Sequence, residues 1–326
     1  MSTKQRFVRA AMTTALLLGT VIGGASVESA HAAAPMAKTS APAYYRMMLG
    51  DFEITALSDG TSPLPVQNLL THTTPEQTNK TLAASFIQPP YEMNFNAFLV
   101  NTGSKLVLID TGSGAFYGPN VGKLLARLKA SGYKPEQVDE VYITHMHLDH
   151  VGGLVDHGKR VFPNAIVRAD QRDADFWLSP AQMDKAPKEA KDFFKIAMDA
   201  LNPYVQAGRF KPFHGETELV PGIRAVDLSG HTPGHTGYMI QSKGQKMLVW
   251  GDVLHVPAIQ FAQPDITIQF DTDSQSALSV RDHVLADAAK EGYYIAGAHL
   301  NFPAIGHVRK AGSGYEWLPV QYSELH

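Results

Sequence analysis

Cysteine is absent from all 326 residues. That excludes disulfides and thiolate ligands alike, so any metal centre must use nitrogen and oxygen donors, and an exported form must rely on its own core. A basic cluster is missing too. The formal charge is -3, and outside the N-terminus Lys and Arg do not group, which leaves nucleic acid little to hold. The apolar run from Ala10 to about Ala25 is broken by Thr13, Thr14 and Thr20, and it falls short of the ~20 residues a membrane-spanning helix needs. Lys4, Arg6 and Arg9 precede it and Ala30-His31-Ala32 follows, the pattern of a secretory signal peptide cleaved after Ala32. The expectation is a secreted or periplasmic protein, free of the membrane after cleavage, whose partner is a small molecule.

What is present suits a large folded core, since 44% of residues are hydrophobic. Residues 33–43 read as a flexible mature N-terminus and residues 44–326 as a single domain. Period-two alternation over 52–57, a hairpin of 95–100 with 105–109, and apolar runs at 140–143, 165–168, 223–228, 238–241, 246–250 and 293–296 predict strands. Helical spacing predicts helices over 120–131, 170–178, 187–201 and 274–290, the last with Asp273 as N-cap. Residues 144–153 read as a loop. Strand runs followed by helices, twice over, imply an α+β sandwich of two packed sheets with helices outside.

One segment stands apart chemically. Thr144-His145-Met146-His147-Leu148-Asp149-His150 follows an apolar strand, and a buried set of such groups without a metal would be costly. In an extended stretch His145 and His147 share a face, and the following turn swings Asp149 and His150 away. That division implies two neighbouring ions, each needing further ligands. Candidates end other strands: His231 and His235 in Gly230-His231-Thr232-Pro233-Gly234-His235, Asp252 after Gly251, and His299 after Ala298.

Taken with Asp110-Thr111-Gly112, this series resembles that of the metallo-β-lactamase superfamily and covers most of the mature chain. The resemblance implies an αβ/βα sandwich with two divalent metals at one edge. Residue by residue, it implies His145, His147 and His231 for one metal, Asp149, His150 and His299 for the other, and Asp252 as the bridge. It assigns Asp110 to orienting a ligand imidazole and His235 to a supporting role or none. Zinc leads the expected metals, with cobalt, manganese or iron as alternatives.

Further stretches, Tyr44-Tyr45-Arg46, Leu49 to Gly60, Asp170-Gln171, Ala174-Asp175-Phe176-Trp177-Leu178 and Phe302-Pro303-x-Ile305-Gly306-His307, are similar to the methyl parathion hydrolases. Those are exported dimeric phosphotriesterases with relatives acting on lactones and aryl esters, so the resemblance implies a homodimer. The chain departs from them: His255 and Phe270 replace Leu, Ile268 replaces Thr, Leu69 replaces Arg, and the segment before Phe193 is one residue shorter. These departures favour lactone or aryl ester as main substrate, with organophosphate triesters as a side activity and a methyl-parathion-type hydrolase as the alternative.

In that chemistry two ions activate water and polarise the substrate oxygen, while Asp252 or His255 returns a proton to the leaving oxygen. The expected pocket comprises Leu69, Phe116, Tyr117, Trp177, Phe194, His255, Ile268 and Phe270, with Phe193 and Phe261 as further aromatic candidates. Rival readings fare worse. β-Lactamases with this first cluster lack the bridging aspartate, glyoxalase-II-type thioesterases are cytosolic, diiron reductases carry Glu where His147 stands, and a structural zinc module would be a closed four-ligand site.

Overall fold

Alternation of apolar side chains builds two sheets in the computed structural model, which describes residues 34–325; the expected signal segment lies outside them. The first sheet runs in chain order through β1 (Tyr44–Leu49), β2 (Phe52–Leu64), β3 (Tyr91–Asn101), β4 (Leu106–Ile109), β5 (Glu140–Tyr142) and β6 (Ile166–Arg168). The second runs through β7 (Glu218–Val220), β8 (Ile223–Asp227), β9 (Thr236–Ser242), β10 (Gln245–Val249), β11 (Tyr294–Ala296), β12 (Ile305–Ala311) and β13 (Gly314–Pro319). Most neighbours are antiparallel. The exceptions are β4 with β5, β5 with β6, and β10 with β11. Residues 34–40 have no regular structure and are exposed.

Both faces of the first sheet are buried, and its residues sort by parity. Ile54, Ala56, Phe98, Val100, Val107 and Ile109 pack between the sheets against Ile223, Tyr238, Ile240 and Met247. Their neighbours Leu57, Ala97, Leu99, Leu106 and Leu108 face outward to α2 (Leu124–Ala130), α4 (Gln171–Trp177) and α6 (Lys191–Gln206). On the second sheet, Val284, Leu285 and Ala288 of α8 (Ser274–Glu291) join the inter-sheet core cluster. The expected α+β sandwich is the observed architecture.

Several elements differ from expectation for local reasons. The helix expected at 120 begins at Leu124, because Gly122 holds φ +77° and the Asp59 carboxylate takes the N–H groups of Gly122 and Leu124 at 3.0 and 2.9 Å. The 144–153 loop contains a helical turn, α3 (Leu148–Val151). The helix expected at 187–201 is shifted to Lys191–Gln206, where its buried series Phe194, Ala197, Ala200, Leu201 and Tyr204 carries it onward. Three helices, α1 (Pro75–Ala84), α5 (Pro180–Lys185, capped by Ser179) and α7 (Pro257–Gln260), were not expected. Strand β1 and the hairpin of β12 and β13 were also unforeseen. Among the described residues no helix is long and apolar enough to cross a membrane.

Candidate metal centre and adjoining cavity

Parallel pairing decides where the donors meet. Because β4 and β5 run together, Asp110 and the His145 segment leave the first sheet at one edge; β10 and β11 do the same for Asp252 and His299. Thr236 donates its N–H to Thr144 O at 2.9 Å, and Asn96 Nδ2 donates to Ala298 O and Leu300 O at 2.9 and 2.8 Å, which ties the two edges together.

Two donor groups result: His145, His147, His231 and Asp252, and Asp149, His150, Asp252 and His299. In the first, His147 Nδ1 lies 3.0 Å from His145 Nε2 and 3.2 Å from His231 Nε2, and Asp252 Oδ2 is 3.6 and 3.4 Å from those two Nε2 atoms. In the second, His150 Nε2 is 3.3 Å from Asp252 Oδ1 and 3.4 Å from Asp149 Oδ2. His299 Nε2 is 3.1 and 3.4 Å from the same two side chains, through Oδ2 of each. Asp252 belongs to both.

These spacings fit a cation. Donors about 2.0–2.1 Å from a tetrahedral ion stand about 3.3 Å from one another, which is the range seen in both groups. Without an ion, His150 Nε2 and Asp252 Oδ1 are buried with no hydrogen-bond partner, a costly state for polar atoms. The residues present therefore suit two divalent ions.

Supporting hydrogen bonds fix which nitrogen faces inward. Asp110 Oδ2 pairs with His150 Nδ1 at 2.8 Å and takes the Thr144 hydroxyl at 2.8 Å. Asn94 O faces His299 Nδ1 at 2.9 Å, and Asp271 Oδ1 faces His231 Nδ1 at 2.7 Å. Each leaves Nε2 for the centre. Burial alone would lower the His231 pKa, yet the Asp252 and Asp271 carboxylates lift it to about 9. His235 is not a donor: its Nδ1 donates to Leu228 O and its Nε2 accepts the Asp252 N–H, each at 3.0 Å. Burial, helped by His231, takes it down to about 3, so it stays neutral and locks the Asp252 backbone.

Beside the donors lies a cavity of about 170 Å³, walled by Leu64, Met93, Phe95, Tyr117, Leu148, Phe193, His255 and Phe270 and floored by His147, Asp149, Asp252 and His299. His255 Nε2 is 3.2 Å from Asp252 Oδ2, and its ring stacks on His299 with centroids 5.1 Å apart. Neither of its ring nitrogens has a hydrogen-bond partner, and burial lowers its pKa to about 4. Its backbone is held by Gln260 Oε1, which accepts the N–H groups of His255 and Val256 at 2.7 and 2.8 Å. Burial, with the Asp149 charge, raises Tyr117 to about 12.

Of the side chains expected to form the pocket, Tyr117, His255 and Phe270 reach the cavity, as does Phe193. The others do not. Trp177 and Phe194 pack at a tilt behind Phe193 in the outer-face core. Leu69 and Ile268 pack with Val66, Leu82 and Ile259 beneath the wall. Phe116 is 38% exposed, and Phe261 packs on Trp250 and Trp317. Sequence reasoning missed Leu64, Met93, Phe95, Leu148, Asp173 and Asp271; the strand residues among them carry only an ordinary apolar signal.

The model of the metallo-beta-lactamase superfamily matches residues 92–299, a span that holds all seven donors. The crystal structure of the hydrolase AbOPH in the beta lactamase superfamily is similar, at 37% identity and a TM-score of 0.83, covering 88% of this chain and 100% of that one. AidC, a dizinc quorum-quenching lactonase solved with a product, is 27% identical with a TM-score of 0.81, covering 86% and 99%. An N-acyl homoserine lactonase from Bacillus sp is 26% identical over 165 residues, 45% of this chain and 58% of that protein. The chain thus spans little more than half the length of the curated relatives it matches.

Proposed function

The chain belongs to the metallo-beta-lactamase superfamily, and from that premise we propose that it is a lactone hydrolase using two divalent ions, zinc first, held by His145, His147, His231, Asp149, His150, His299 and Asp252. The observation that carries this reading is the pair of donor groups sharing Asp252 at the floor of an apolar cavity. When bound there, such ions supply an activated water and polarise the substrate carbonyl.

The chain's own residues do the rest. Leu64, Met93, Phe95, Phe193 and Phe270 exclude water around a compact ester and set its face. His255, neutral at pH 7, offers an N–H to the ring or leaving oxygen, and Asp252, 3.2 Å from it, would carry the proton lost by the attacking water to that oxygen as the ring opens. Tyr117 offers a hydroxyl that remains protonated. The lactonases among the similar proteins support the lactone reading. Aryl esters and organophosphate triesters are the second reading, supported by the aromatic walls, with a polar imidazole where a dialkyl phosphate needs apolar room. Export through residues 1–32 and a homodimeric state belong to the same proposal, and the mass and light scattering of the protein from the culture or periplasmic fraction would check both.

The deciding assay compares catalytic efficiency of the metal-loaded protein on an N-acyl homoserine lactone, dihydrocoumarin, a phenyl ester, a paraoxon-type triester and nitrocefin. Lactone turnover should exceed the rest. A triester or β-lactam as best substrate would sink the lactone assignment.

A further inference from the structure

The two donor groups are held from behind mainly by different parts of the chain, with Thr144, bonded to Asp110 and 3.1 Å from His145 Nδ1, as the link between them. Asp110 and the Asn94 carbonyl fix His150 and His299. Behind His145, His147 and His231 lies α4. Asp173, in its first turn, has no exposed surface. Its Oδ2 accepts the N–H of Met146 at 3.0 Å, and its Oδ1 accepts the N–H of Gly234 at 2.7 Å. Met146 sits between His145 and His147, and Gly234 closes the turn that His231 begins. One carboxylate therefore clamps the two segments that supply the three imidazoles of a single group. Further along α4, the Trp177 ring meets His147 edge-on with centroids 5.2 Å apart.

The clamp is specific in shape and charge. A Cβ at position 234 would stand 2.6 Å from Asp173 N, so only glycine lets the turn come close enough to reach the carboxylate. Both partners are donors, and an Asn amide would offer one acceptor while turning its NH2 against the other N–H.

We infer that Asp173 is a positioning residue: it sets the spacing of His231 from the His145–His147 pair, and so the affinity of that group for its ion, while the group of Asp149, His150 and His299 keeps its own. This rests on the two-ion reading above, and the test separates the two. Metal-free full-length protein is titrated with Zn²⁺ by calorimetry as wild type, Asp173→Asn, Gly234→Ala, Asp110→Asn and the double variant Asp173→Asn/Asp110→Asn, and the unfolding midpoint of each metal-free form is recorded.

Wild type should bind in two steps. Asp173→Asn should weaken one step about 10–100-fold, the usual scale for a residue that orients ligands, and leave the other unchanged. Asp110→Asn should weaken the other step, so that the double variant loses both. Gly234→Ala, with its carboxylate intact, should reproduce Asp173→Asn and decides the matter if that variant does not fold. A lowered midpoint with both steps intact, equal weakening of both steps, or action of Asp173→Asn at the step that Asp110→Asn weakens would overturn the inference alone. A wild type that binds a single ion would overturn the two-ion reading and this inference with it.

Discussion

The rim of metal donors and the wall of the cavity touch each other, yet they are built in opposite ways. The donors follow the C-terminal ends of strands, and three of their imidazoles are fixed by short hydrogen bonds: Asp110 on His150, Asp271 on His231, the Asn94 carbonyl on His299. The wall is assembled from β2, β3, the loop bearing Tyr117, α6 and the 255–270 segment, and it is held by apolar packing. Chemistry that needs fixed distances sits on the hydrogen-bonded part. Substrate shape is left to the part that tolerates exchange.

The strongest way to break that contrast is at the shared carboxylate. Asp252→Ala removes a donor from both groups and should cut lactone hydrolysis by more than about a hundredfold, the upper end of what supporting residues alone cost. Retention of activity within tenfold would mean that the rim does not carry the reaction.

Next come exchanges in the wall, where choice of substrate rather than turnover should move. His255→Leu, especially combined with Phe270→Leu, should shift the ratio of triester to lactone efficiency by about ten- to a hundredfold toward triester, the scale of one or two contacts. Phe194→Leu, one layer behind, should leave that ratio unchanged. An equal shift from Phe194→Leu would erase the distinction between wall and core.

A smaller effect belongs to His235. His235→Ser leaves the buried Asp252 N–H without its acceptor, so metal content should hold while stability falls by about 1–3 kcal/mol. Loss of one equivalent of metal instead would make His235 a ligand.

The last is a pH effect on the metal-free protein. His235 and His255 titrate in the fold at about 3 and about 4, against about 6.5 when unfolded. The unfolded chain therefore binds more protons below pH 6.5, and stability falls on acidification from there toward pH 4. His231, raised to about 9 by Asp252 and Asp271 against its burial, has the opposite sign. Its contribution is full below pH 6.5 and is lost as pH rises through 9. The unfolding midpoint should peak near pH 6.5 and decline on both sides, and metal should abolish the alkaline decline because ligation already requires the neutral ring. A midpoint that keeps rising to pH 9 without metal would contradict the placing of His231 between Asp252 and Asp271.

The same contrast explains what could be read beforehand. The donors were legible because His145 to His150 lie together and the remaining three follow glycine or alanine at strand ends. Asp271 and Asp173 were not, since a lone aspartate gives no sign of an imidazole or N–H group brought to it from a distant segment. Leu64, Met93 and Phe95 read as ordinary strand residues; only the pairing of β2 with β3 turns them toward the donors. Trp177 and Phe194 showed the converse, aromatic candidates whose helix faces send them into the core. Of the fold, the central strands and α8 were plain, whereas the β12–β13 hairpin alternates buried Ile305 and Val308 with exposed Arg309 and Lys310 too weakly to stand out.

Asp252 belongs to both donor groups, and in the proposed reaction both must be filled. That requirement is tested most directly by adding zinc stepwise to the metal-free protein while following bound metal and lactone hydrolysis in parallel. Wild type should bind two equivalents, with hydrolysis appearing with the second, and Asp252→Ala should retain no more than one; full hydrolysis with one equivalent or none, or two equivalents tightly held by Asp252→Ala, would show that the two groups do not act together through Asp252.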